Sequence, residues 1–116
     1  MIVHALDGYD EISLTGPFKY FYNQGERIAT PEDWDLPLLN HADILGGESI
    51  EDSAEIFLTI LEGKGTPEQN AAVIANSGLA LFCCNQKAGI NTALEHATDS
   101  LQSGKALDAF KKLINS

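Results

Sequence analysis

Near its N-terminus the chain reads Ile2-Val3-His4-Ala5-Leu6-Asp7-Gly8, an apolar run that ends in a turn. A short apolar run bounded by Asp-Gly is typical of a buried β-strand that leads into a turn. A strand buried on both faces needs neighbouring strands, and the sequence offers few of them. The stretch therefore predicts part of an α/β domain whose natural boundary lies before residue 1.

A β-hairpin and a short helical turn are predicted next. Aromatic and β-branched residues in segments 18–22 and 27–30 flank Asn23-Gln24-Gly25-Glu26, which is the pattern of a hairpin. Thr30-Pro31 begins a helical turn, because threonine caps a helix and proline suits its first position. This turn should be short, since Pro37 follows it closely.

Four longer helices are predicted from apolar stripes over segments 50–61, 71–84, 90–101 and 107–114. Ser49 and Thr66 cap the first two. The second is apolar nearly all round, which predicts a core helix whose Cys83 and Cys84 are reduced and buried. The stripes of the first and third helices are Ile50, Ala54, Phe57, Leu58 and Leu61, and Ile90, Ala93, Leu94, Ala97 and Leu101.

Composition is that of one globular domain, with 116 residues, 44% hydrophobic and 21% charged. No apolar run has membrane-spanning length, and no leader-like segment is present, so the cytoplasm is the expected location. The net charge is −10, and thirteen of the 17 acidic residues fall in positions 1–62. Such a surface disfavours nucleic acid and anionic membranes. It suits either a metal site or a solvated face, and composition does not separate the two.

Three carboxylates follow the first predicted strand, at Asp7, Asp10 and Glu11. Ligands of α/β proteins usually bind where strands end, and Mg²⁺ prefers oxygen ligands, often one or two carboxylates completed by water and phosphate. The alternative is that these groups cap the turn after the strand, as aspartate often does. On spacing alone, turn capping is favoured.

No other polar group completes a catalytic set. The histidines have no partner at metal-ligand spacing, and a hydrogen-bonded core position is favoured for His4. Ser13 and Thr15 lack a general base. Gly46-Gly47 lacks the pattern of a phosphate-binding loop and predicts a flexible break before the following helix. The sequence therefore assigns no catalytic residue.

Taken in order, several segments resemble the anthranilate phosphoribosyltransferases. Segment 3–16 is similar to the part of that family built around an Asp-Glu pair, although Ala5 stands where many members carry glycine. The other matching segments are Thr30-Pro31-Glu32-Asp33-Trp34, Gly46-Gly47-Glu48-Ser49, Ala72-Val73-Ile74-Ala75-Asn76 and Ser103-Gly104-Lys105-Ala106-Leu107. Together they extend over essentially the whole chain at compatible spacing.

The resemblance implies an activity and a metal site. Enzymes of this family transfer phosphoribose from phosphoribosyl pyrophosphate to anthranilate in tryptophan biosynthesis, and they use Mg²⁺. Asp10 and Glu11 match the family's Asp-Glu pair, so the resemblance implies that they bind Mg²⁺ beside the departing pyrophosphate. Asp7 matches less closely. With the resemblance included, metal binding is favoured over turn capping at Asp10 and Glu11.

The resemblance also implies that much of the enzyme lies outside this sequence. Residues 1–116 correspond to the C-terminal part of a mixed-sheet α/β glycosyltransferase domain. The sites for phosphoribosyl pyrophosphate and anthranilate belong upstream of residue 1, as does the helical domain through which these enzymes form homodimers. The chain alone is therefore expected to be inactive and to self-associate through unpartnered apolar faces.

Two alternatives stand beside this interpretation. In the first, the chain would be an independent binding or regulatory domain descended from such an enzyme. In the second, it would be part of a related pyrimidine nucleoside phosphorylase. The intact Asp-Glu pair argues against the first, because a disused site has no physical reason to keep its carboxylates. The tract from Asp7 to Gly16 argues against the second.

Overall fold

In the computed structural model, which describes residues 1–116, three strands come first and four helices follow. Single 3-10 turns at Pro31–Trp34, His41–Ile44 and Gln86–Ala88 connect some of these elements. This order confirms the predicted α/β class, with a strand and a hairpin before the helices. The elements are β1 (Ile2–Ala5), β2 (Phe18–Tyr22), β3 (Gly25–Ala29), α1 (Ile50–Leu61), α2 (Pro67–Cys84), α3 (Ile90–Gln102) and α4 (Lys105–Ile114).

The strands form one antiparallel sheet in the order β1-β2-β3. Tyr20 lies opposite Val3 on one side and Arg27 on the other. The hairpin loop is shorter than predicted, since Tyr22 pairs with Gly25 and only Asn23-Gln24 remain between the strands. Gly25 has a φ of 117°, a conformation that glycine adopts without a steric penalty.

The expected burial of β1 is wrong. Ile2 is 66% exposed, and Ala5 alone of this strand is buried. β1 is an edge strand that pairs only with β2, so its apolar composition does not by itself bury it. His4, expected as a core histidine, is exposed for the same reason.

The core lies between the hairpin, α2 and α3. Phe18 and Trp34 pack edge to face with ring centroids 4.7 Å apart. The ring of Tyr20 packs edge to face on Phe82 of α2, with centroids 6.4 Å apart. Such aromatic pairs add to the free energy gained by burying their apolar area. The main buried cluster consists of Ile12, Leu14, Phe18, Tyr20, Ala29, Trp34, Leu39, Ala71, Ala75, Leu79, Phe82, Ala93 and Leu94.

The outer helices are less buried than their apolar stripes predicted. In α1, Ile50 is 84% exposed and only Ile60 and Leu61 are buried, although the predicted cap at Ser49 is confirmed. α4 buries no residue, and its Leu113 is 72% exposed. The stripe of α3 is confirmed as the buried face of that helix, except that Ile90 is half-buried. None of the helices combines the length and the apolar character required to cross a bilayer.

The predicted burial of Cys83 and Cys84 is also wrong, because both side chains are exposed as free thiols. α2 buries one face rather than its whole circumference, so its apolar residues do not all belong to the core. The two cysteines lie off the buried face, which consists of Ala71, Ala75, Gly78, Leu79 and Phe82. The predicted cap at Thr66 is confirmed at the start of this helix, where Thr66 and Gln69 form a capping box.

Candidate functional site

The candidate site is the acidic loop, residues 6–17, which connects β1 to β2. It closes at its base through a hydrogen bond from the Leu6 N–H to the Pro17 carbonyl, 2.9 Å long. The chain turns back at its start, where Gly8 has a φ of 109° and its N–H donates to the Ala5 carbonyl. Asp10 and Glu11 therefore lie in the loop after β1, at the place expected from the sequence.

Both carboxylates of Asp10 and Glu11 are exposed. The two salt bridges of the chain join other residues, and no side-chain hydrogen bond involves either carboxylate. Neither group therefore caps the turn. Their oxygens remain available to a cation, which is the property that a metal ligand requires.

Asp7 has a different environment from its two acidic neighbours. The Thr15 hydroxyl donates to its carboxylate, and the Ser13 hydroxyl lies 2.7 Å from that of Thr15. This chain of contacts ties the two ends of the acidic loop together across its width. Asp7 therefore has the local structural role that the capping alternative described, because one of its carboxylate oxygens already accepts a hydrogen bond from Thr15.

Two apolar residues of the acidic loop, Ile12 and Leu14, anchor it to the core. Ile12 and Leu14 are 1% and 0% exposed. The side-chain oxygen of Asn76 accepts from the Ile12 N–H at 2.9 Å, and its amide nitrogen donates to the Ile12 carbonyl at 2.7 Å. Leu14 has a φ of 61°, and its carbonyl accepts from the Leu39 N–H at 2.8 Å. A left-handed conformation is unfavourable for leucine, so these contacts must hold it in place.

A second tether lies on the other side of the carboxylates. The Tyr9 hydroxyl is 2.7 Å from Nδ1 of His41, and the two rings stack with centroids 5.6 Å apart. His41 belongs to the 3-10 turn at His41–Ile44. Asp10 and Glu11 are thus held between a tether at Tyr9 and an anchor at Ile12, and the backbone that carries them is fixed at both ends.

A cavity of about 260 Å³ lies beside the acidic loop. Tyr9, Glu11 and Ser13 line one side of it, and Ile56 and Val73 are among the apolar residues that complete it. Tyr9, Glu11 and Ser13 of the acidic loop therefore line the cavity, whereas Ile12 and Leu14 are buried in the core. Glu11 lies at the rim of the cavity, and Asp10 does not line it.

Gly46-Gly47, expected as a flexible break, is closely packed at its second residue. A Cβ at Gly47 would lie 2.5 Å from the Ser53 nitrogen, and the Gly47 N–H donates to the Ser53 hydroxyl at 3.1 Å. Glycine is required here by the close approach of this segment to the first turn of α1. The expectation of a flexible break is therefore wrong for Gly47.

As a metal site, the chain offers only part of a coordination sphere. No group of three or more His, Cys, Asp or Glu side chains has metal-binding geometry. Two free carboxylates nevertheless fit the donor chemistry of Mg²⁺, which commonly takes one or two carboxylates and fills its other positions with water and substrate phosphates. The arrangement can thus contribute ligands to a cation that is shared with a phosphorylated substrate.

Sequence reasoning missed Tyr9, His41 and Asn76. Asn76 belongs to a segment that matched the family pattern, but a matching segment does not show which side chain reaches which backbone atom. Its partner Ile12 is 64 residues away, and the Tyr9 and His41 pair spans 32 residues. Such contacts are set by tertiary packing and leave no local signal.

The family model for the glycosyl transferase family, a/b domain, matches residues 1–107. The chain is 46% identical over 113 residues to the anthranilate phosphoribosyltransferase of Cytophaga hutchinsonii, covering 97% of this chain and 34% of that protein. It is 50% identical over 112 residues to the enzyme of the same name from Flavobacterium psychrophilum, with the same coverage. The chain thus spans about a third of the length of the curated relatives that it matches.

Among solved structures, the chain is similar to that of anthranilate phosphoribosyltransferase from Thermus thermophilus. The TM-score is 0.80, and the match covers 95% of this chain and 33% of that one. Because the sequence identity is 23%, this likeness concerns the fold.

Proposed function

The chain belongs to the glycosyl transferase family, a/b domain, and from this membership we propose that it is the C-terminal part of an anthranilate phosphoribosyltransferase. The observation that carries the proposal is the exposed Asp10-Glu11 pair, free of internal hydrogen bonds and salt bridges, between the held residues Tyr9 and Ile12. The relatives that bear this name, at 46% and 50% identity, support it. Residues 1–116 would form the C-terminal part of the α/β domain of the longer enzyme.

In the proposed reaction, the bond between C1 of the ribose and the pyrophosphate oxygen breaks. A bond from C1 to the nitrogen of anthranilate forms, and the amine loses a proton. A Mg²⁺ ion held at this site would supply positive charge to neutralise the negative charge of the departing pyrophosphate. Asp10 and Glu11 are the residues of this chain that would hold the ion, and the anchored backbone beneath them would keep their carboxylates from collapsing onto the protein surface.

The substrates would bind mainly to the part of the enzyme that precedes residue 1. This chain carries a charge of −10 and would repel phosphates unless a cation lies between them. We also propose that the longer enzyme is a cytoplasmic homodimer that acts in tryptophan biosynthesis. In this account the chain supplies the metal-binding carboxylates of the active site, and the part of the enzyme before residue 1 supplies most of the substrate-binding residues.

The proposal is tested by following the fluorescence of anthranilate in the presence of phosphoribosyl pyrophosphate and Mg²⁺. The 116-residue chain alone should give no turnover, because catalysis requires both substrates to be held in line. A polypeptide that also carries the upstream region should consume anthranilate. Turnover by the short chain would show that the substrate sites lie within residues 1–116.

The same assay separates the two alternatives. If the longer polypeptide binds ligands but leaves anthranilate unchanged, it is a binding or regulatory protein. If it instead cleaves a pyrimidine nucleoside with inorganic phosphate, it is a nucleoside phosphorylase. Either result would contradict the proposed function.

A further inference from the structure

We infer that Asn76 is a positioning residue, which sets the direction of the Glu11 carboxylate by holding the next peptide group along the chain. The inference rests on the proposed function, since it concerns the cation that Glu11 would bind. Asn76 lies in α2 and does not contact the cation in this account. It acts only through the backbone of the acidic loop.

The hydrogen bonds of Asn76 fix its carboxamide in one orientation. Its nitrogen donates to the Ile12 carbonyl at 2.7 Å and to the Ala72 carbonyl at 3.0 Å, while its oxygen accepts from the Ile12 N–H at 2.9 Å. Both side-chain N–H groups are therefore used. An exchange of oxygen and nitrogen would place a donor against the Ile12 N–H, so the network allows only one assignment.

Holding Ile12 in this way constrains Glu11 directly. The Ile12 nitrogen is bonded to the carbonyl carbon of Glu11, and the peptide group between them is planar. The Ile12 side chain is 1% exposed, and its packing in the core also restrains the position of this peptide group. The Glu11 carboxylate makes no hydrogen bond or salt bridge, so the direction in which its side chain leaves the backbone depends on the peptide groups beside it and, through Ile12, on Asn76.

The alternative is that Asn76 is purely structural and joins α2 to the acidic loop without affecting the carboxylates. The two roles predict different behaviour when Asn76→Asp is introduced. Aspartate removes both donors and sets a negative charge against the Ile12 carbonyl, so the loop should loosen. The added negative charge would by itself attract a cation. A weaker cation affinity in a folded Asn76→Asp variant therefore does not come from the added charge and indicates lost positioning.

The probe is Mn²⁺, titrated into the isotopically labelled 116-residue chain and detected by paramagnetic broadening of backbone amide signals. In the unmodified protein, broadening should centre on Asp10 and Glu11. In Asn76→Asp, the Mn²⁺ dissociation constant should rise about fivefold, the equivalent of one ordinary hydrogen bond. The matched control is Asn91→Asp on the exposed surface of α3, which adds the same charge and should leave the dissociation constant unchanged or slightly lower.

Two results would overturn the inference in distinguishable ways. If Asn76→Asp loosens Ile12, seen as faster amide hydrogen exchange, but binds Mn²⁺ as tightly as the unmodified protein, then Asn76 has no positioning role and the metal assignment stands. If the unmodified protein shows no broadening at Asp10 and Glu11, the metal assignment fails and the inference fails with it.

A further measurement decides the matter if Asn76→Asp does not fold. In the unmodified protein, the side-chain amide protons of Asn76 should exchange much more slowly than those of exposed Asn91, because both are hydrogen-bonded. Slow exchange at Asn76 shows that the network persists in solution, and the milder variant Asn76→Ser, which lacks the carboxamide, should then raise the Mn²⁺ dissociation constant; an unchanged constant would overturn the inference. Equal exchange at the two asparagines would show that the network does not persist in solution, and would overturn it.

Discussion

At the scale of single residues, the carboxylates of Asp10 and Glu11 owe their availability to the residues beside them. Tyr9 is tethered to His41, and Ile12 is anchored to Asn76. Both ends of the short segment are held, and neither carboxylate has a hydrogen bond or a salt bridge within the chain. Two free anionic groups in an already acidic chain are unfavourable on electrostatic grounds, which is consistent with a cation as their partner.

We expect Asp10→Asn with Glu11→Gln to abolish Mn²⁺ binding by the 116-residue chain without lowering its thermal stability. Neither side chain makes a contact that folding depends on, and removing two negative charges relieves repulsion. In the longer enzyme the same double variant should reduce turnover by about a hundredfold or more, in the range typical of losing an electrostatic contribution to catalysis.

The control for this variant is Glu95→Gln with Asp99→Asn, which removes the same charge from the exposed surface of α3. It should leave Mn²⁺ binding and turnover unchanged. Unaltered dependence on divalent cation in the Asp10 and Glu11 variant would contradict the metal assignment.

Cys83 and Cys84 give a second prediction at this scale. Because both are exposed, they should react with a thiol reagent in the native protein at rates within about tenfold of those in denaturant. The measurement is a thiol titration in buffer, compared with one in guanidinium chloride. Slow labelling of both residues in buffer would show that they are covered in solution.

At the scale of secondary-structure elements, α2 and α3 approach each other closely at Gly78. A Cβ on Gly78 would lie 2.5 Å from a methyl carbon of Leu94 and 3.3 Å from its Cα. Glycine in the middle of a helix is normally unfavourable relative to alanine. Here it allows the two helices to approach closely enough to bury Ala93 and Leu94.

We expect Gly78→Ala to destabilise the protein by about 1–3 kcal/mol, because overpacking outweighs the gain in helix propensity. Urea denaturation measures the change. Ser77→Ala is the neighbouring control, since Ser77 is exposed on the same helix and should change the stability by no more than about 0.5 kcal/mol. In the Gly78→Ala background, Leu94→Ala should cost less than it does alone, and equal costs would contradict the predicted clash.

Elements could be predicted where their signals are local, and not where they depend on neighbours. The caps at Ser49 and Thr66 act within one helical turn, and both were predicted. The burial of Ile2, Ile50 and the two cysteines was predicted wrongly, because an apolar side chain becomes buried only if another element covers it. The position of Asp10 and Glu11 followed from the turn after β1, whereas their anchors depend on contacts distant in sequence.

At the scale of the whole molecule, much apolar surface remains uncovered. A cavity of about 470 Å³ between α1, α2 and α3 is lined mainly by apolar side chains, including Phe57 and Leu81. These two residues are 47% and 41% exposed. A continuous apolar surface of this kind promotes association.

We therefore expect the 116-residue chain to self-associate as its concentration rises from micromolar to millimolar. Sedimentation equilibrium measures this. Leu81→Lys should weaken the association, because it places a charge on the apolar surface. Leu38→Lys is the matched control, since Leu38 is 64% exposed and does not line this cavity. A chain that stays monomeric over the whole range, or equal association by both variants, would contradict the prediction.

The anchor between Asn76 and Ile12 also imposes an order on folding. Closing a loop of 64 residues costs about 4 kcal/mol of chain entropy beyond a constant term, whereas the hairpin closes over only a few residues. We expect the hairpin and α2 to form first and the acidic loop to become ordered late. Pulse-labelling hydrogen exchange during refolding should then protect the Ile12 amide after those of β2 and α2, and simultaneous protection would contradict this order. A nascent chain would thus carry Asp10 and Glu11 on a disordered backbone, and the proposed ion site would form only once the rest of the molecule had folded.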